Sequence, residues 1–295
     1  MKAHILGAGA WGRGVGHLLQ ANGHAVDWIS HADAAWPSGT PDFTVVAIPV
    51  QFLRETLQHF QPPPGPVLSV SKGLEIGTGY RVSQILRDVW GARRVAALTG
   101  PTLAGEIEKG LPAAAVIAAE EEPLCDVLQE AFHQPALRVY RCSDLTGAEL
   151  GGALKNIYAI AGGICAGLRL GENATAALLT RCLAEMTRIG VQAGGRPETF
   201  AGLSGMGDLI LTALSPQSRN HRVGAQLAAG KPLERILDEM GGVCEGVPTA
   251  KSVYLNPAIP AGSKPVIAAV YSILYENKKP DEAVHELMNR ARTSE

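Results

Sequence analysis

The sequence predicts an α/β domain with a mostly parallel sheet, followed by an all-α domain. In the first half, short apolar runs alternate with helical patterns, and a glycine-rich turn follows the first of these runs. Such alternation is typical of parallel sheets with right-handed crossovers. No strand pattern follows Val139, and from Asp144 onward the sequence is helical and rich in alanine, glycine and leucine. We therefore place the two domains at residues 1–145 and 146–295.

The strands of the first domain are predicted from their apolar runs. The segment FTVVAI is apolar throughout, as expected of a strand that is buried on both faces. The first helix is predicted over Ala10–Gln20, where Val15, Leu18 and Leu19 form one apolar face. The predicted strands are Ala3–Leu6, Ala25–Ile29, Phe43–Ile48, Val67–Val70, Val95–Leu98 and Ala113–Ala118.

The composition excludes several classes of protein. A net charge of −2 and a pI near 6.5 argue against a nucleic-acid partner, which usually requires a basic face. No apolar run approaches the ~20 residues that a membrane span needs, and the N-terminus lacks the features of a signal peptide. The five cysteines share no close spacing, so neither a disulfide framework nor a zinc site is indicated. We expect a cytoplasmic protein without a metal.

A dinucleotide fingerprint follows the first predicted strand. The segment Gly7-Ala8-Gly9-Ala10-Trp11-Gly12 is G-x-G-x-x-G, and it lies between a strand and a helix. In this motif the first glycine makes a tight turn, the second lets a pyrophosphate approach the backbone, and the third lets helix and strand pack closely. In this context the motif predicts a Rossmann-type domain that binds NAD or NADP.

The end of the second strand bears on the choice of cofactor. An acidic residue that binds the adenosine ribose is expected there, but the sequence reads Trp28-Ile29-Ser30-His31, and Asp33 comes slightly late. Without a carboxylate to repel a 2′-phosphate, NADP is admissible, and we expect NADPH to be favoured. His31 is either a cofactor contact or an ordinary surface histidine.

Polar residues also follow two later strands. Lys72 comes after Val67–Val70, and Gly100 and Thr102 come after Val95–Leu98. Ligands of open α/β sheets bind at the carboxyl ends of the strands, so these residues are candidates for a site. Lys72 could equally be a solvated lysine, and Thr102 could cap the next helix instead of contacting substrate.

The second domain contains three candidate segments. Gly151–Asn156 opens or interrupts a helix, and Lys155 within it either extends to solvent or is held in a cleft, where burial would make it an acid near neutral pH. In Gly202–Asn220, Asp208 follows a glycine-rich stretch, and Ser218, Arg219 and Asn220 suit a phosphate monoester. The same residues would also suit a glycine-rich loop that is followed by a solvated polar turn and binds no ligand. Glu245 is a third candidate or an exposed loop carboxylate.

Taken together, these motifs resemble the bacterial NAD(P)-dependent glycerol-3-phosphate dehydrogenases. The resemblance runs along nearly the whole chain through GAGAWG, SKGLE, GPTLAGE, ELGGALKNIYAIAGGI, GENATAALLTRCLAEMTRIG, GLSGMGDLILT, SRN and CEGV. It implies reduction of dihydroxyacetone phosphate to sn-glycerol 3-phosphate, the backbone of phospholipids, by an enzyme that often forms homodimers. It also implies that Lys155 is the catalytic lysine.

The resemblance assigns further residues by position. Lys72 and Arg219 match positions that can contact both ligands. The substrate positions are Lys72, Gly100, Thr102, Asp208, Ser218, Arg219 and Asn220. The cofactor positions are Gly7, Gly9, Ala10, Trp11, Gly12, His31, Lys72, Ala104, Arg219, Val243 and Glu245.

One segment departs from the family pattern. Only His31–Asp42 joins the second and third strands, where family members usually carry a longer segment with a helix. We expect that helix to be lost or cut to one turn, which puts the adenine side of the pocket in question. Two other functions share the fold: a dehydrogenase of another small 3-hydroxy acid, which would not need the SRN segment, and a non-catalytic dinucleotide sensor, which could dispense with Lys155 and Asp208.

Overall fold

The computed structural model of the protein describes residues 1–30, 33 and 35–290. A seven-stranded sheet occupies the first half of the chain, in the order β2-β1-β3-β4-β5-β6-β7. All neighbouring strands are parallel except β5 and β6, which run antiparallel. The strands are β1 Lys2–Leu6, β2 Ala25–Ile29, β3 Phe43–Val46, β4 Val67–Ser69, β5 Val95–Thr99, β6 Ala113–Ala119 and β7 Leu137–Cys142.

Helices cover both faces of this sheet. The helices of the first half are α1 Ala10–Ala21, α2 Val50–Gln58, α3 Val82–Trp90, α4 Ala104–Ile107 and α5 Glu122–Phe132. Side chains of α1 and α5 share one apolar cluster with the sheet, and those of α2 and α3 share another. The predicted mostly parallel α/β architecture is therefore confirmed, although β3 ends at Val46 and not at Ile48.

The connection from β2 to β3 contains no helix in its described residues, 30, 33 and 35–42. Trp36 packs there against Phe60 and Trp90, with ring centroids 5.2 and 6.0 Å apart, and its indole N–H donates to the Gln61 carbonyl at 2.8 Å. A single aromatic side chain thus covers part of the α2/α3 cluster from this short connection.

The second half is helical and is built around one long central helix. After β7 the helices are α6 Leu145–Gly167, α7 Glu172–Gln192, α8 Pro197–Ala201, α9 Asp208–Leu214, α10 Arg219–Ala228, α11 Leu233–Met240, α12 Gly246–Leu255, α13 Pro265–Tyr275 and α14 Pro280–Met288. A π-helical turn at Leu203–Gly207 and a short 3₁₀ turn at Ala261–Ser263 complete it. The division at 145/146 remains our proposal; β7 ends at Cys142 and α6 begins at Leu145.

The sequence expectation that Gly151–Asn156 opens or interrupts a helix is wrong. The segment lies inside α6, which is continuous from Leu145 to Gly167 and almost entirely buried. The glycines are there for close packing: a Cβ on Gly151 would lie 2.6 Å from the Ser204 carbonyl oxygen, and one on Gly163 would lie 2.0 Å from that of His221. Tertiary contacts with the π-helical turn and α10 thus override the low helix propensity of glycine.

Candidate active site

The glycine-rich turn between β1 and α1 has the shape that a dinucleotide pyrophosphate requires. Gly7 has a φ of +113°, and a Cβ on Gly12 would lie 1.9 Å from the Gly7 carbonyl oxygen, so neither position accepts a side chain without movement. A Cβ on Gly9, by contrast, would meet no atom within 4 Å. Gly9 is the N-cap of α1, no side chain caps the helix there, and the first helical residue, Ala10, is exposed while Trp11 is half-buried. These residues fit a bound dinucleotide.

At the end of β2 the structure corrects the sequence analysis. The Ser30 backbone N–H donates to Asp33 Oδ2 at 2.6 Å, and the Asp33 N–H donates to the Ser30 carbonyl at 3.0 Å. The expectation that no carboxylate stands at this strand end is therefore wrong, because the Asp33 carboxylate is hydrogen-bonded to Ser30 there. His31 lies outside the described residues.

Three predicted residues meet in the cleft between the sheet and α6. Lys155 Nζ donates to Asp208 Oδ1 at 2.9 Å, and Lys72 Nζ donates to Asp208 Oδ2 at 2.7 Å. Lys72 Nζ also donates to the Gly100 carbonyl at 3.1 Å. Lys72 follows β4, Gly100 follows β5, Lys155 lies on α6 and Asp208 begins α9. Lysines from two separate segments thus bind one carboxylate, which is 2% exposed.

Thr212 belongs to this cluster, although the sequence analysis missed it. Its hydroxyl accepts a hydrogen bond from Lys155 Nζ at 2.7 Å and donates to Asp208 Oδ1 at 3.1 Å. Thr212 follows Asp208 by four residues on α9, so the two share a helix face. That spacing is the one signal in the sequence that points to it.

Burial and charge set the protonation of this cluster. Desolvation lowers the pKa of Lys155 to about 8; Asp208 opposes the shift and Lys72 adds to it. Burial of Asp208 acts to raise its pKa, but the cations of Lys155 and Lys72 outweigh it and hold the pKa below its usual value. The cluster therefore contains an anion and a lysine that can exchange a proton near neutral pH.

Asp208 owes its position to an irregular backbone. The π-helical turn Leu203–Gly207 runs directly into α9, and a Cβ on Gly205 would lie 2.1 Å from the Phe200 carbonyl oxygen. Single π-helical turns recur at functional sites, where they redirect a side chain. The glycines that stand out in the sequence before Asp208 thus allow the chain to pack tightly just before the carboxylate.

The second candidate group lies at the N-terminus of α10. Ser218 is the N-cap, and its Oγ accepts the His221 N–H at 3.3 Å. Arg219 is exposed, and its guanidinium makes no hydrogen bond or ion pair within residues 1–30, 33 and 35–290. The Asn220 amide is used differently: Nδ2 donates to Asn156 Oδ1 at 2.9 Å, and Oδ1 accepts the Gly246 N–H at 3.0 Å.

Glu245 contacts the sheet-bearing half from the N-terminus of α12. Its Oε1 accepts the Val50 N–H at 2.9 Å, and its Oε2 is buried with no hydrogen-bond partner among the described residues. Burial raises the pKa of Glu245 to about 7, against the lowering by the Val50 N–H and Arg219. Glu245 is therefore not an exposed loop residue. A ligand could donate a hydrogen bond to its buried, unpaired Oε2. Val243 lies half-buried just before it.

Thr102 and Ala104 follow β5 in the chain. The Thr102 hydroxyl donates to the Gly100 carbonyl at 3.2 Å, the same oxygen that Lys72 contacts. Leu103 is the N-cap of α4 and Ala104 is its first residue, so Thr102 does not cap this helix. Lys72, Gly100, Thr102 and Ala104 thus follow the carboxyl ends of β4 and β5, and Asp208 of α9 contacts Lys72 there.

Comparison with known proteins gives a consistent result along the whole chain. Residues 37–125 and 144–285 match the models of the N-terminal and C-terminal domains of NAD-dependent glycerol-3-phosphate dehydrogenases. The glycerol-3-phosphate dehydrogenase [NAD(P)+] of Syntrophotalea carbinolica is 40% identical over 331 residues, which cover 100% of this chain and 99% of that protein. The corresponding protein of Thiobacillus denitrificans is 41% identical, with 100% of both chains covered.

A solved structure agrees with these sequence relatives. The glycerol-3-phosphate dehydrogenase of Coxiella burnetii superimposes with a TM-score of 0.89 at 31% identity, over 98% of this chain and 99% of that one. Sequence and fold therefore point to the same group of enzymes. Within the described residues no helix is both long enough and apolar enough to cross a membrane.

Proposed function

Because this chain belongs to the family of NAD-dependent glycerol-3-phosphate dehydrogenases, we propose that its cleft interconverts dihydroxyacetone phosphate and sn-glycerol 3-phosphate. The protein is an oxidoreductase that uses NAD or NADP. The observation that carries the assignment of the site is the buried contact of Lys155 and Lys72 with one carboxylate, at the edge of the sheet that bears the glycine turn. A non-catalytic sensor has no need of this buried charge, which is costly to maintain.

Lys155 is the proposed acid for the reduction. Two of its three N–H donors are used by Asp208 and Thr212, so one remains for the ketone oxygen of a substrate. A bound NADH or NADPH would supply the hydride for the carbonyl carbon. Lys155 polarises the ketone and transfers its proton to the oxygen, and the bonds to Asp208 and Thr212 keep its Nζ in place. In the oxidation direction the same lysine takes that proton back.

The substrate phosphate is assigned to the N-terminus of α10. Arg219 is exposed there, and its planar guanidinium suits two oxygens of a phosphate. The helix dipole of α10 adds to this attraction. Ser218 and Asn220 flank Arg219; because Asn220 already bonds Asn156 and Gly246, only its second amide N–H is left for the substrate. Lys72, Gly100 and Thr102 would orient the hydroxymethyl end.

The cofactor is assigned to the glycine turn and the cleft. Gly7, Gly9, Ala10, Trp11 and Gly12 would hold its pyrophosphate. The nicotinamide half would lie near Lys72, Ala104, Arg219, Val243 and Glu245, where the unpaired Glu245 Oε2 supports a polar contact. NADPH is proposed to be accepted, with Asp33 limiting any preference for it over NADH.

The cellular location, the metabolic role and the oligomeric state are proposed together with the activity. The enzyme would act in the cytoplasm and supply the glycerol phosphate backbone of phospholipids. It would do so as a homodimer, for which light scattering at several concentrations is the direct measurement.

Initial rates provide the test of the activity. Oxidation of NADH and NADPH is measured with dihydroxyacetone phosphate and, in parallel, with unphosphorylated dihydroxyacetone and several 3-keto acids. The proposal requires turnover of the phosphorylated ketone far above that of the others. Preference for a 3-keto acid would instead identify a related hydroxy-acid dehydrogenase, and cofactor binding without turnover would identify a sensor.

A further inference from the structure

One face of α6 makes three contacts with the sheet-bearing half. Glu149, Gly152 and Asn156 are spaced by three and four residues, so they lie in one row along the helix. A Cβ on Gly152 would lie 3.0 Å from Thr99 Oγ1, and Asn156 Nδ2 donates to the Lys72 carbonyl at 3.3 Å. This row therefore sets how far α6 stands from the residues that follow β4 and β5.

Glu149 makes the strongest contact of the row. Its Oε1 accepts the Ser83 backbone N–H at 2.7 Å, and its Oε2 accepts the Ser83 hydroxyl at 2.6 Å and the Arg81 guanidinium. The Glu149 side chain is only 6% exposed. Arg81 is the N-cap of α3 and Ser83 lies in its first turn, where backbone N–H groups have no partner within the helix. A carboxylate is the group that such a helix end favours.

These contacts are directional in a way that apolar packing is not. A slip of α6 by one residue would move it by about 1.5 Å and turn it by about 100°, which would take Glu149 away from all three donors. Lys155 lies six residues further along the same helix, so the same slip would displace its Nζ relative to Lys72. Asp208 would not follow automatically, because it is held from both halves of the chain.

We propose that Glu149 is a positioning residue that fixes α6 against α3 and thereby holds Lys155 opposite Lys72 in the cleft. The proposal rests on the function assigned to Lys155 above. Glu149 contacts neither of the two lysines nor Asp208, so its effect on the reaction passes entirely through the placement of α6.

The test compares Glu149→Ala with Glu149→Gln. The alanine variant should lower kcat for dihydroxyacetone phosphate by about 10²-fold, the loss expected for a misplacement of about 1 Å at a reacting group. The dissociation constant of NADH should change far less than kcat, because the glycine turn that would hold the pyrophosphate lies away from α6. The glutamine variant keeps an acceptor for the Ser83 N–H and should recover most of the rate.

The pH profile of kcat distinguishes a positioning role of Glu149 from a role in stability alone. Asp208 raises the pKa of Lys155 and Lys72 lowers it, so a shift of α6 that changes the distances from Lys155 to both should move the limb of the profile near pH 8. Glu185→Gln is the matched control. Glu185 is a buried carboxylate that accepts the Val266 and Ile267 N–H groups at 2.9 and 3.0 Å and the Tyr158 hydroxyl of α6 at 3.4 Å, all within the helical half, and a glutamine keeps an acceptor oxygen for the Tyr158 contact. It should lower Tm without moving that limb.

Each outcome decides the proposal. A Glu149→Ala protein that loses Tm but keeps kcat within about twofold, with an unmoved pH limb, would show that Glu149 only stabilises the fold. If Glu149→Ala does not fold, Ser83→Ala removes one donor of the same contact and should show the same shift on a smaller scale; an unmoved limb there overturns the proposal. A wild type that does not reduce dihydroxyacetone phosphate refutes the assigned function instead.

Discussion

Lys72 and Lys155 bind opposite oxygens of the same buried carboxylate, that of Asp208, although they come from different halves of the chain. Two cations and one anion leave the cluster with one positive charge when both lysines are protonated. An approaching phosphorylated ketone carries the opposite charge, so the cluster and Arg219 favour its entry. The carboxylate thus holds the two cations close together and so makes this charged cleft possible.

Replacement of Lys155 by methionine should abolish turnover and leave NADH binding nearly intact. Loss of a general acid costs roughly 10²–10⁴-fold in rate, and the glycine turn lies on the other half of the chain. Single-turnover kinetics and a fluorescence titration with NADH measure the two effects. Lys264→Met is the matched control, since Lys264 is also buried but donates to backbone carbonyls of Val253 and Tyr254. A Lys155→Met enzyme with over a tenth of the wild-type kcat would refute the role.

The two directions of the reaction should respond to pH with opposite signs. Lys155 has a pKa of about 8, and reduction requires its protonated form, so kcat for reduction should fall as pH rises through about 8. Oxidation requires the neutral amine and should slow as pH falls through the same value. Profiles of both directions, recorded at saturating cofactor, test this. If kcat for reduction and kcat for oxidation change with pH in the same direction, a group other than Lys155 ionises.

Substitution of Arg219 by alanine should weaken binding of the phosphorylated substrate selectively. Each charge-assisted hydrogen bond contributes about 1.5–3 kcal/mol, so KM for dihydroxyacetone phosphate should rise at least tenfold, while that for dihydroxyacetone should change little. Arg222→Ala is the control, because Arg222 is exposed on the same helix one turn further on. Equal effects of Arg219→Ala on both substrates would mean that Arg219 does not bind phosphate.

The choice of cofactor should depend on the end of β2. Asp33 occupies the Ser30 N–H, a donor that a 2′-phosphate could otherwise use, and its charge repels that phosphate. Asp33→Asn should therefore raise kcat/KM for NADPH relative to NADH by about tenfold, and Ser30→Asp should lower it. Measured ratios for the wild type and both variants decide this. If neither substitution changes the ratio of kcat/KM for NADPH to that for NADH, the adenosine of the cofactor does not bind at the end of β2.

Substitutions at two glycines of the turn should affect protein stability and cofactor binding differently. Gly9→Ala adds a methyl group into open space, so Tm should hardly change while the dissociation constant of NADH rises. Gly12→Ala forces a Cβ against the Gly7 carbonyl oxygen and should cost about 1–3 kcal/mol of unfolding free energy. Thermal unfolding and NADH titration of both variants test the pair, and equal losses of stability would contradict the assigned difference.

The fold was largely predictable because its signals are local. The apolar runs that became β1 and β5, and the glycine turn at Gly7–Gly12, depend on neighbouring residues and on burial alone. Lys155, Lys72 and Asp208 were identified as separate candidates, and the structure brings them together. Their shared contact could not be derived from spacing, because it joins residues 53 and 136 positions apart.

The contacts that the sequence did not show involve the approach of one residue to the backbone of another. Asp33 Oδ2 accepts the Ser30 N–H, and Glu149 accepts the Ser83 N–H at the start of α3 from a position 66 residues further along the chain. Gly151 looked like a helix breaker because its propensity is weak, whereas the approach of Ser204 requires a residue without a side chain there. At Gly151 long-range packing outweighs the local preference of the residue, and the contact of Glu149 with Ser83 is likewise long-range.

The burial of α6 on nearly all sides has a consequence for the synthesis of the chain. This apolar helix leaves the ribosome before α7, α9, α10, α12 and α13, all of which cover it in the finished protein. Until α13 has emerged, much of its surface is in water, while the sheet-bearing half is already complete. Nascent chains stalled between α7 and α13 should therefore be the forms that chaperones bind and proteases cut.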